Sequence, residues 1–115
     1  MNREKLIEAG IDYDEGVHRF AGKPEIYEKY LLKFFEGSLM DDLSDELKNN
    51  DFDKAFQTAH SLKGTAGNVS LNRFYSKICE LVEMLRGENV KDTYMSAFLE
   101  AKKLYAVAEH AAKEL

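Results

Sequence analysis

Apolar residues recur along most of this chain at alternating spacings of three and four positions, and no convincing stretch alternates strictly between apolar and polar residues. The first pattern is typical of amphipathic helices that bury one face, whereas strict alternation is typical of half-buried strands. The sequence therefore predicts an all-α protein.

In the first half of the chain, helices are predicted over residues 2–9, 12–20 and 24–47. Gly10 and the pair Ala21-Gly22 end the first two helices. Pro24 suits the first turn of the third, because its missing N–H makes no helical hydrogen bond there. Gly37 is expected to bend this long helix without ending it, since the apolar pattern resumes beyond it. The predicted inward residues of the long helix are Ile26, Tyr30, Phe34, Leu43 and Leu47.

Three more long helices are predicted in the second half, over residues 52–69, 71–86 and 92–115. Asn50-Asp51 can cap the first of them, and Gly87 is placed as the C-cap of the second, in a turn over residues 87–89. The predicted inward residues are Phe52, Ala55, Ala59, Leu62, Ala66 and Val69, then Leu71, Phe74, Ile78, Val82 and Leu85, then Tyr94, Phe98, Ala101, Tyr105, Ala108, Ala112 and Leu115. Four long helices with short connections predict an antiparallel four-helix bundle with short additional N-terminal helices.

The composition narrows the class of protein. A chain of 115 residues with one proline and no Gly/Ser-rich tract predicts a single domain, residues 1–115, that folds as a monomer. The net charge of −5 disfavours nucleic-acid binding. No apolar run approaches the roughly 20 residues of a membrane span, and the N-terminus lacks a signal-peptide core, so we expect a cytoplasmic protein. Cys79, the only cysteine, is expected to be a buried packing residue.

One face of the helix in the segment FDKAFQTAHSLKGTAGNVSL has a composition that core packing does not explain. Successive helical residues are about 100° apart, so His60 turns away from the buried row that contains Ala59. Residues three and four positions apart lie on the same face. That face is therefore predicted to contain Phe56, Gln57, His60, Lys63, Gly64 and Gly67.

Gly64 and Gly67 are unusual inside a helix, because each costs roughly 0.8–1 kcal/mol relative to alanine. Two explanations are open: the glycines leave room for another molecule to approach His60, or they allow close packing of a neighbouring helix. Their position beside His60 favours access.

His60 and Lys63, one helical turn apart, suit phosphoryl chemistry. A neutral imidazole is a nucleophile near physiological pH, and its attack on an acyl phosphate gives a reactive phosphoramidate. An ammonium on a flexible stem can offset the charge of the phosphoryl group. A solvated His–Lys pair is the alternative interpretation, because such short motifs recur by chance.

The segment AHSLKGTAGNVSL is similar to the signature of the histidine phosphotransfer (HPt) family. The segment IDYDEGVHRFAGKPEIYEKYLLKFFEG also resembles the family's usual approach to its first long helix. The resemblance covers most of the chain and is weakest over the final helix. It implies a four-helix bundle in which His60 is the phosphoacceptor, Lys63 supports the phosphoryl group and Gly64 keeps the site open.

The resemblance further implies a phosphocarrier of a two-component phosphorelay. His60 would accept a phosphoryl group from an aspartate of a response-regulator receiver domain and pass it to another receiver. The implied partners are receiver domains and a sensor histidine kinase. The catalytic machinery of this family, Mg²⁺ included, belongs to the receiver, so the chain is expected to have no metal site, no cofactor and no catalysis of its own.

Two positions depart from the family pattern. Val82 stands where members often have a Glu or Gln that holds the second ring nitrogen of the histidine, and Glu83 follows it. Either Glu83 reaches the ring after a local shift, or Gln57, water or nothing orients His60. Ser70 replaces a frequent glycine and is expected to keep the turn.

Phe56 lies one turn before His60 and outside the buried row, so we expect it to join Val17 or Phe20 in an apolar patch where a receiver docks. Alternatively, Phe56 covers the edge of the core. His18 and His110 lie on different helices without carboxylate or thiolate neighbours at ligand spacing, so solvated or packing roles are expected for them rather than metal binding.

Two other functions compete with the phosphorelay carrier. One is a helical adaptor that has the fold and is never phosphorylated. The other is a domain that a histidine kinase phosphorylates directly. If the protein acquires phosphoryl label only from a phosphorylated receiver and only when His60 is present, it is a carrier rather than an adaptor. A kinase supplied without any receiver tests the third possibility.

Overall fold

The computed structural model describes residues 2–87 and 92–114, and all regular secondary structure in these ranges is helical. The elements are α1 (Arg3–Glu8), α2 (Tyr13–Arg19), α3 (Pro24–Glu36), α4 (Leu39–Lys48), α5 (Phe52–Asn68), α6 (Asn72–Met84) and α7 (Tyr94–Lys113). The predicted all-α class and helical bundle are confirmed. None of these helices combines the length and the apolar character needed to cross a bilayer.

Side-chain caps and left-handed residues set the ends of the helices. Asn2, Asp12 and Asp51 each accept a hydrogen bond from the backbone N–H three residues on, which satisfies a free donor of the first turn. Gly87, predicted as the C-cap, is left-handed at φ 75°, but α6 ends at Met84 and its C-cap is Leu85, so that prediction was wrong. The rest of the predicted turn, at residues 88 and 89, lies outside the described residues.

The core lies between helices that pack in chain order, α4 on α5, α5 on α6 and α6 on α7. The inward residues predicted for α6 are all buried, as are those of α5 except Phe52, which is half-buried. In α7 the predicted alanines and Phe98 are buried, while Tyr94 and Tyr105 are half-buried; Leu115 lies outside the described residues. Cys79 is half-buried, so the expectation of a buried thiol was wrong.

The prediction of one long helix over residues 24–47 was wrong, because the chain forms two helices there. Gly37 has extended backbone angles (φ −74°, ψ 165°), which end α3 before α4 begins at Leu39. Any residue can adopt these extended angles, and glycine has a low helix propensity, but the apolar pattern resumes on both sides of Gly37, so it could not distinguish a bend from a break.

The inward face of α3 was also predicted wrongly. Tyr30 is 45% exposed, and Ile26 and Phe34 are only half-buried. Tyr27 and its neighbours one turn apart face the core instead, and the Tyr27 hydroxyl donates a buried hydrogen bond of 2.8 Å to the Val69 carbonyl. Apolar residues occupy two adjacent faces of this helix, and this tertiary hydrogen bond favours the face of Tyr27.

The N-terminal helices dock where α5 turns into α6. The Asp12 N–H donates to the Ser70 carbonyl (2.9 Å), and the Arg73 N–H donates to the Gly10 carbonyl (3.1 Å). Together with the Tyr27 hydrogen bond, these contacts place α2 beside the C-terminal end of α5. This placement brings residues from the start of the chain to the face that contains His60.

Buried phenols predict a loss of stability at alkaline pH. Burial raises the pKa of Tyr27 above its ordinary value of 10.0, and burial with a hydrogen bond to Glu28 raises the pKa of Tyr13 to about 12. A raised folded-state pKa gives stability that is fully present below pH 10 and is lost as pH rises through the folded-state pKa. The free energy of unfolding, measured with urea, should therefore fall from pH 10 upward.

The matched test of this alkaline loss compares Tyr27→Phe with Tyr30→Phe, whose phenol is exposed. Tyr27→Phe should show a shallower alkaline decline than the wild type, and Tyr30→Phe should follow the wild type. An equal decline in both variants would contradict the assignment to Tyr27.

Candidate functional site

His60 lies exposed on α5, while its neighbour Ala59 is fully buried. Within the described residues, the imidazole has no hydrogen-bond partner. The ring lines an open hollow, here called the His60 cleft, between α2, α5 and α6. The cleft is lined by Glu15, Arg19, His60, Lys63, Gly64, Gly67, Asn68, Asn72, Tyr75 and Ser76.

The two glycines of α5 differ in their surroundings. A Cβ atom on Gly64 would meet nothing within 4 Å, so the backbone is open to another molecule one turn from His60. A Cβ on Gly67 would lie 3.2 Å from the Tyr75 ring. Space for an approaching molecule is therefore found at Gly64, whereas Gly67 fits the alternative of close helix packing.

Phe56, Glu83 of α6 and Arg86, which follows α6, lie on the other side of His60. The centroids of the Phe56 and His60 rings are 6.2 Å apart, and the Arg86 guanidinium carbon lies 5.1 Å from the Phe56 centroid, a cation–π distance. Arg86 also donates two hydrogen bonds to the Glu83 carboxylate (3.1 and 3.0 Å). This pairing lowers the pKa of Glu83, and the charge of Lys63 contributes in the same direction.

No side chain in the described part of the chain forms a hydrogen bond that would orient the His60 ring. Val82 is fully buried in the core, and Glu83 is paired with Arg86 rather than with the imidazole. Gln57 is exposed and makes no hydrogen bond to the ring among these residues. The supporting roles of Glu83 and Gln57 stay predictions.

Ser70 keeps the turn after α5 in the left-handed conformation, at φ 57°. Its hydroxyl is buried and donates to Glu15 Oε1 (2.9 Å), and Arg19 Nε donates to the same oxygen (3.4 Å). Sequence reasoning missed Glu15 and Arg19 as cleft residues. Their spacing of four positions indicates a pair on one helix, but only the docking of α2 places that pair beside α5.

The structure does not bring Phe56 and Phe20 together. Phe20 stacks on Tyr30, with ring centroids 5.2 Å apart, and lines a second groove with Phe34 and Leu62. Val17 is half-buried and packs against the core. The expected joint patch is therefore divided, because α2 crosses near the C-terminal end of α5 while Phe56 lies near its start. A docking role for each residue stays a prediction.

His18 and His110 are both exposed. The Nε2 atom of His110 lies 3.9 Å from a carboxylate oxygen of Glu114, four residues on, so the expectation that His110 has no such carboxylate neighbour was wrong. Across residues 2–87 and 92–114, no three or more His, Cys, Asp or Glu side chains are grouped so that they could hold a metal ion.

The fold and the site define a helical bundle that presents an exposed histidine, a lysine one turn away and open backbone beside them. A family model described as Hpt domain matches residues 35–110, and the chain belongs to this family. Membership implies a phosphotransfer role in two-component signalling. No curated protein and no solved structure matches the chain.

The family model and the resemblance in sequence motifs cover different parts of the chain. It includes most of the final helix, where the resemblance is weakest, and omits residues 1–34, which contain most of the N-terminal segment that also resembles the family. The wall of the His60 cleft formed by α2 therefore lies outside the matched range.

Proposed function

We propose that this protein accepts a phosphoryl group on His60 from the aspartyl phosphate of a receiver domain and passes it to the aspartate of another receiver. The observation that carries the proposal is the exposed imidazole beside the open backbone of Gly64, in a chain that belongs to the HPt family. Lys63, one turn away, supplies a positive charge next to the acceptor.

The transfer is an in-line displacement at phosphorus. The lone pair of His60 Nε2 forms the new P–N bond, the P–O bond to the aspartate breaks, and the aspartate leaves as a carboxylate. The proton on the other ring nitrogen stays in place. Lys63 offsets the charge of the phosphoryl oxygens, and docking of the two domains supplies the alignment. Because acyl phosphate and phosphohistidine are both reactive, the transfer runs in either direction.

In this proposal the protein is a carrier rather than an enzyme. The receiver domain holds Mg²⁺ and the groups that activate the aspartate, so the carrier uses no cofactor of its own. We further propose that it works as a monomer in the cytoplasm, between receiver domains and a sensor histidine kinase. The excess of acidic over basic residues, 21 to 16, supports protein partners over nucleic acids.

A phosphotransfer profile against receivers from the same cell tests the proposal. Each receiver is labelled on its aspartate and mixed with the protein, and label on the protein should be acid-labile and base-stable, as expected of phosphohistidine. A kinase supplied without any receiver tests direct phosphorylation. Absence of label with every receiver, or label that survives His60→Gln, would support the adaptor and reject the carrier.

Phe56→Ala is expected to weaken receiver binding without changing the helical content. The half-buried ring lies beside the acceptor, and an apolar contact of this kind contributes about 1 kcal/mol to an interface, a roughly fivefold change in Kd. Calorimetric titration with a receiver domain measures the effect, and circular dichroism checks the fold.

The matched control for Phe56 is Phe52→Ala, which removes another half-buried ring of α5. Phe52 packs on Tyr94, with centroids 5.3 Å apart, rather than beside His60. This variant should bind a receiver like the wild type. Equal weakening in both variants would assign Phe56 to the edge of the core.

A further inference from the structure

Three side chains link the turn after α5 to the far end of the His60 cleft. The Ser70 hydroxyl donates to Glu15 Oε1 (2.9 Å), and Arg19 Nε donates to the same oxygen (3.4 Å). Ser70 is fully buried and Glu15 is half-buried, so the first of these hydrogen bonds is partly shielded from water. The link joins Glu15 to the turn and places Arg19 Nε beside it, where Arg19 lines both the His60 cleft and the second groove.

The backbone at Ser70 indicates that its hydroxyl has a use. At φ 57° the residue is in the left-handed region, which glycine adopts without steric strain and serine does not. A serine here gains a charge-assisted hydrogen bond to a carboxylate that glycine cannot make. The Glu15–Arg19 pair itself is roughly half exposed and contributes little stability. The main consequence of the arrangement is therefore the placement of the Arg19 guanidinium.

Arg19 lies away from the phosphoryl position. Its Nε is bonded to Glu15, which Ser70 holds at the turn after α5, three residues beyond Gly67. At 1.5 Å of rise per residue, His60 and Gly67 are about 10 Å apart along the helix. A phosphoryl group bonded to His60 extends only a small part of that distance. Lys63 can serve that group, whereas Arg19 faces a molecule that lies over Gly64 and Gly67.

We propose that Arg19 is a specificity-determining residue of the docking surface, where its guanidinium pairs with a carboxylate on the receiver domain seated over His60. Glu15 and Ser70 are its positioning residues. The inference rests on the proposed function. It adds a contact from α2, which lies outside the matched range of residues 35–110.

Charge and geometry both support a carboxylate as the partner group. The cleft contains two cations, Lys63 and Arg19, against one acid, Glu15, so it carries a net positive charge although the whole chain is acidic. A guanidinium offers several parallel N–H donors, and the weak 3.4 Å bond to Glu15 engages only Nε. The remaining donors suit a two-point contact with a carboxylate of the partner.

The experiment measures the rate of phosphotransfer against the concentration of the receiver that labels the wild type fastest. Arg19→Gln should raise KM about threefold and Arg19→Glu about tenfold at low salt, in each case by more than any change in the maximal rate. The dependence of KM on salt should be shallower in Arg19→Gln than in the wild type. Arg19→Lys should restore part of the loss.

Two further variants separate docking from folding. Ser70→Gly removes the positioning hydroxyl and relieves the left-handed serine, so KM should rise, while the lost hydrogen bond and the relieved backbone offset each other and leave Tm close to the wild-type value. Lys102→Gln makes the same change of charge on an exposed position of α7 and should leave KM at the wild-type value. Phosphorylation of His60 by phosphoramidate, a donor too small to reach Arg19, should be lowered far less by Arg19→Glu than transfer from the receiver.

Different results identify which proposal fails. If no receiver labels the wild type, the proposed function fails. If receivers label the wild type and Arg19→Glu leaves KM within about twofold, the role of Arg19 is rejected while the carrier function stands. An equal loss with phosphoramidate and with the receiver also rejects a docking role, because it would show that Arg19 affects His60 itself.

Discussion

His60→Gln is expected to abolish phosphoryl acceptance from receiver domains and from phosphoramidate. Glutamine keeps a polar side chain of similar size but has no nucleophilic ring nitrogen. Because His60 is exposed and has no hydrogen-bond partner among the described residues, the variant should keep its free energy of unfolding within about 0.5 kcal/mol. The measurement is acid-labile, base-stable label on the purified protein after mixing with each donor.

The other two histidines provide the control for this loss. His18→Gln and His110→Gln change exposed imidazoles on α2 and α7, outside the lining of the His60 cleft, and both should accept label at the wild-type rate. Base-stable label on His60→Gln, or loss of label from His110→Gln, would show that a residue other than His60 accepts the phosphoryl group.

The inward faces of α5 and α6 could be predicted from the sequence, because a spacing of three and four continues through each helix without interruption. Ala55, Ala59 and Leu62 follow one another at such steps, and all three are buried. The break at Gly37 could not be predicted in the same way. A glycine within a helical pattern lowers helix propensity without by itself ending the helix, so tertiary contacts decide whether the backbone bends or becomes extended.

The candidate site likewise has one part that the sequence predicts and another that depends on tertiary contacts. The positions of His60, Lys63 and Gly64 relative to one another follow from the geometry of one helix, so spacing alone predicts their common face. The opposite wall, with Glu15 and Arg19, depends on how α2 docks at the turn containing Ser70. No local pattern determines that contact between residues 55 positions apart.

The pairing of Glu83 with Arg86 illustrates what the family pattern leaves undetermined. Spacing placed Glu83 next to the position where a ring-holding residue is often found, which made it a candidate for His60. The structure pairs it with Arg86, three residues on and also within reach of Phe56. An ion pair between residues close in sequence competes with a longer reach to another helix, and here the local partner just beyond the end of α6 is the one that Glu83 contacts.

The largest change in stability is expected from Gly16→Ala, although this glycine does not line the His60 cleft. A Cβ on Gly16 would lie 2.7 Å from the Tyr27 hydroxyl oxygen and closer still to two carbons of its ring. Tyr27 is fully buried, and moving its ring would break the 2.8 Å hydrogen bond to Val69 and leave a buried carbonyl unsatisfied. Moving α2 instead would strain the 2.9 Å bond between Asp12 and Ser70.

We therefore expect Gly16→Ala to lower the free energy of unfolding by about 3 kcal/mol and Tm by roughly 12 °C, measured by urea and thermal unfolding. The matched control is Gly64→Ala, which makes the same substitution in a helix where a Cβ meets nothing within 4 Å. That variant should gain about 1 kcal/mol, because alanine has the higher helix propensity. A loss below about 0.5 kcal/mol in Gly16→Ala would show that α2 yields easily. In that case Tyr27 does not fix the wall that carries Arg19, and the position of Arg19 depends on Ser70 and Glu15 alone.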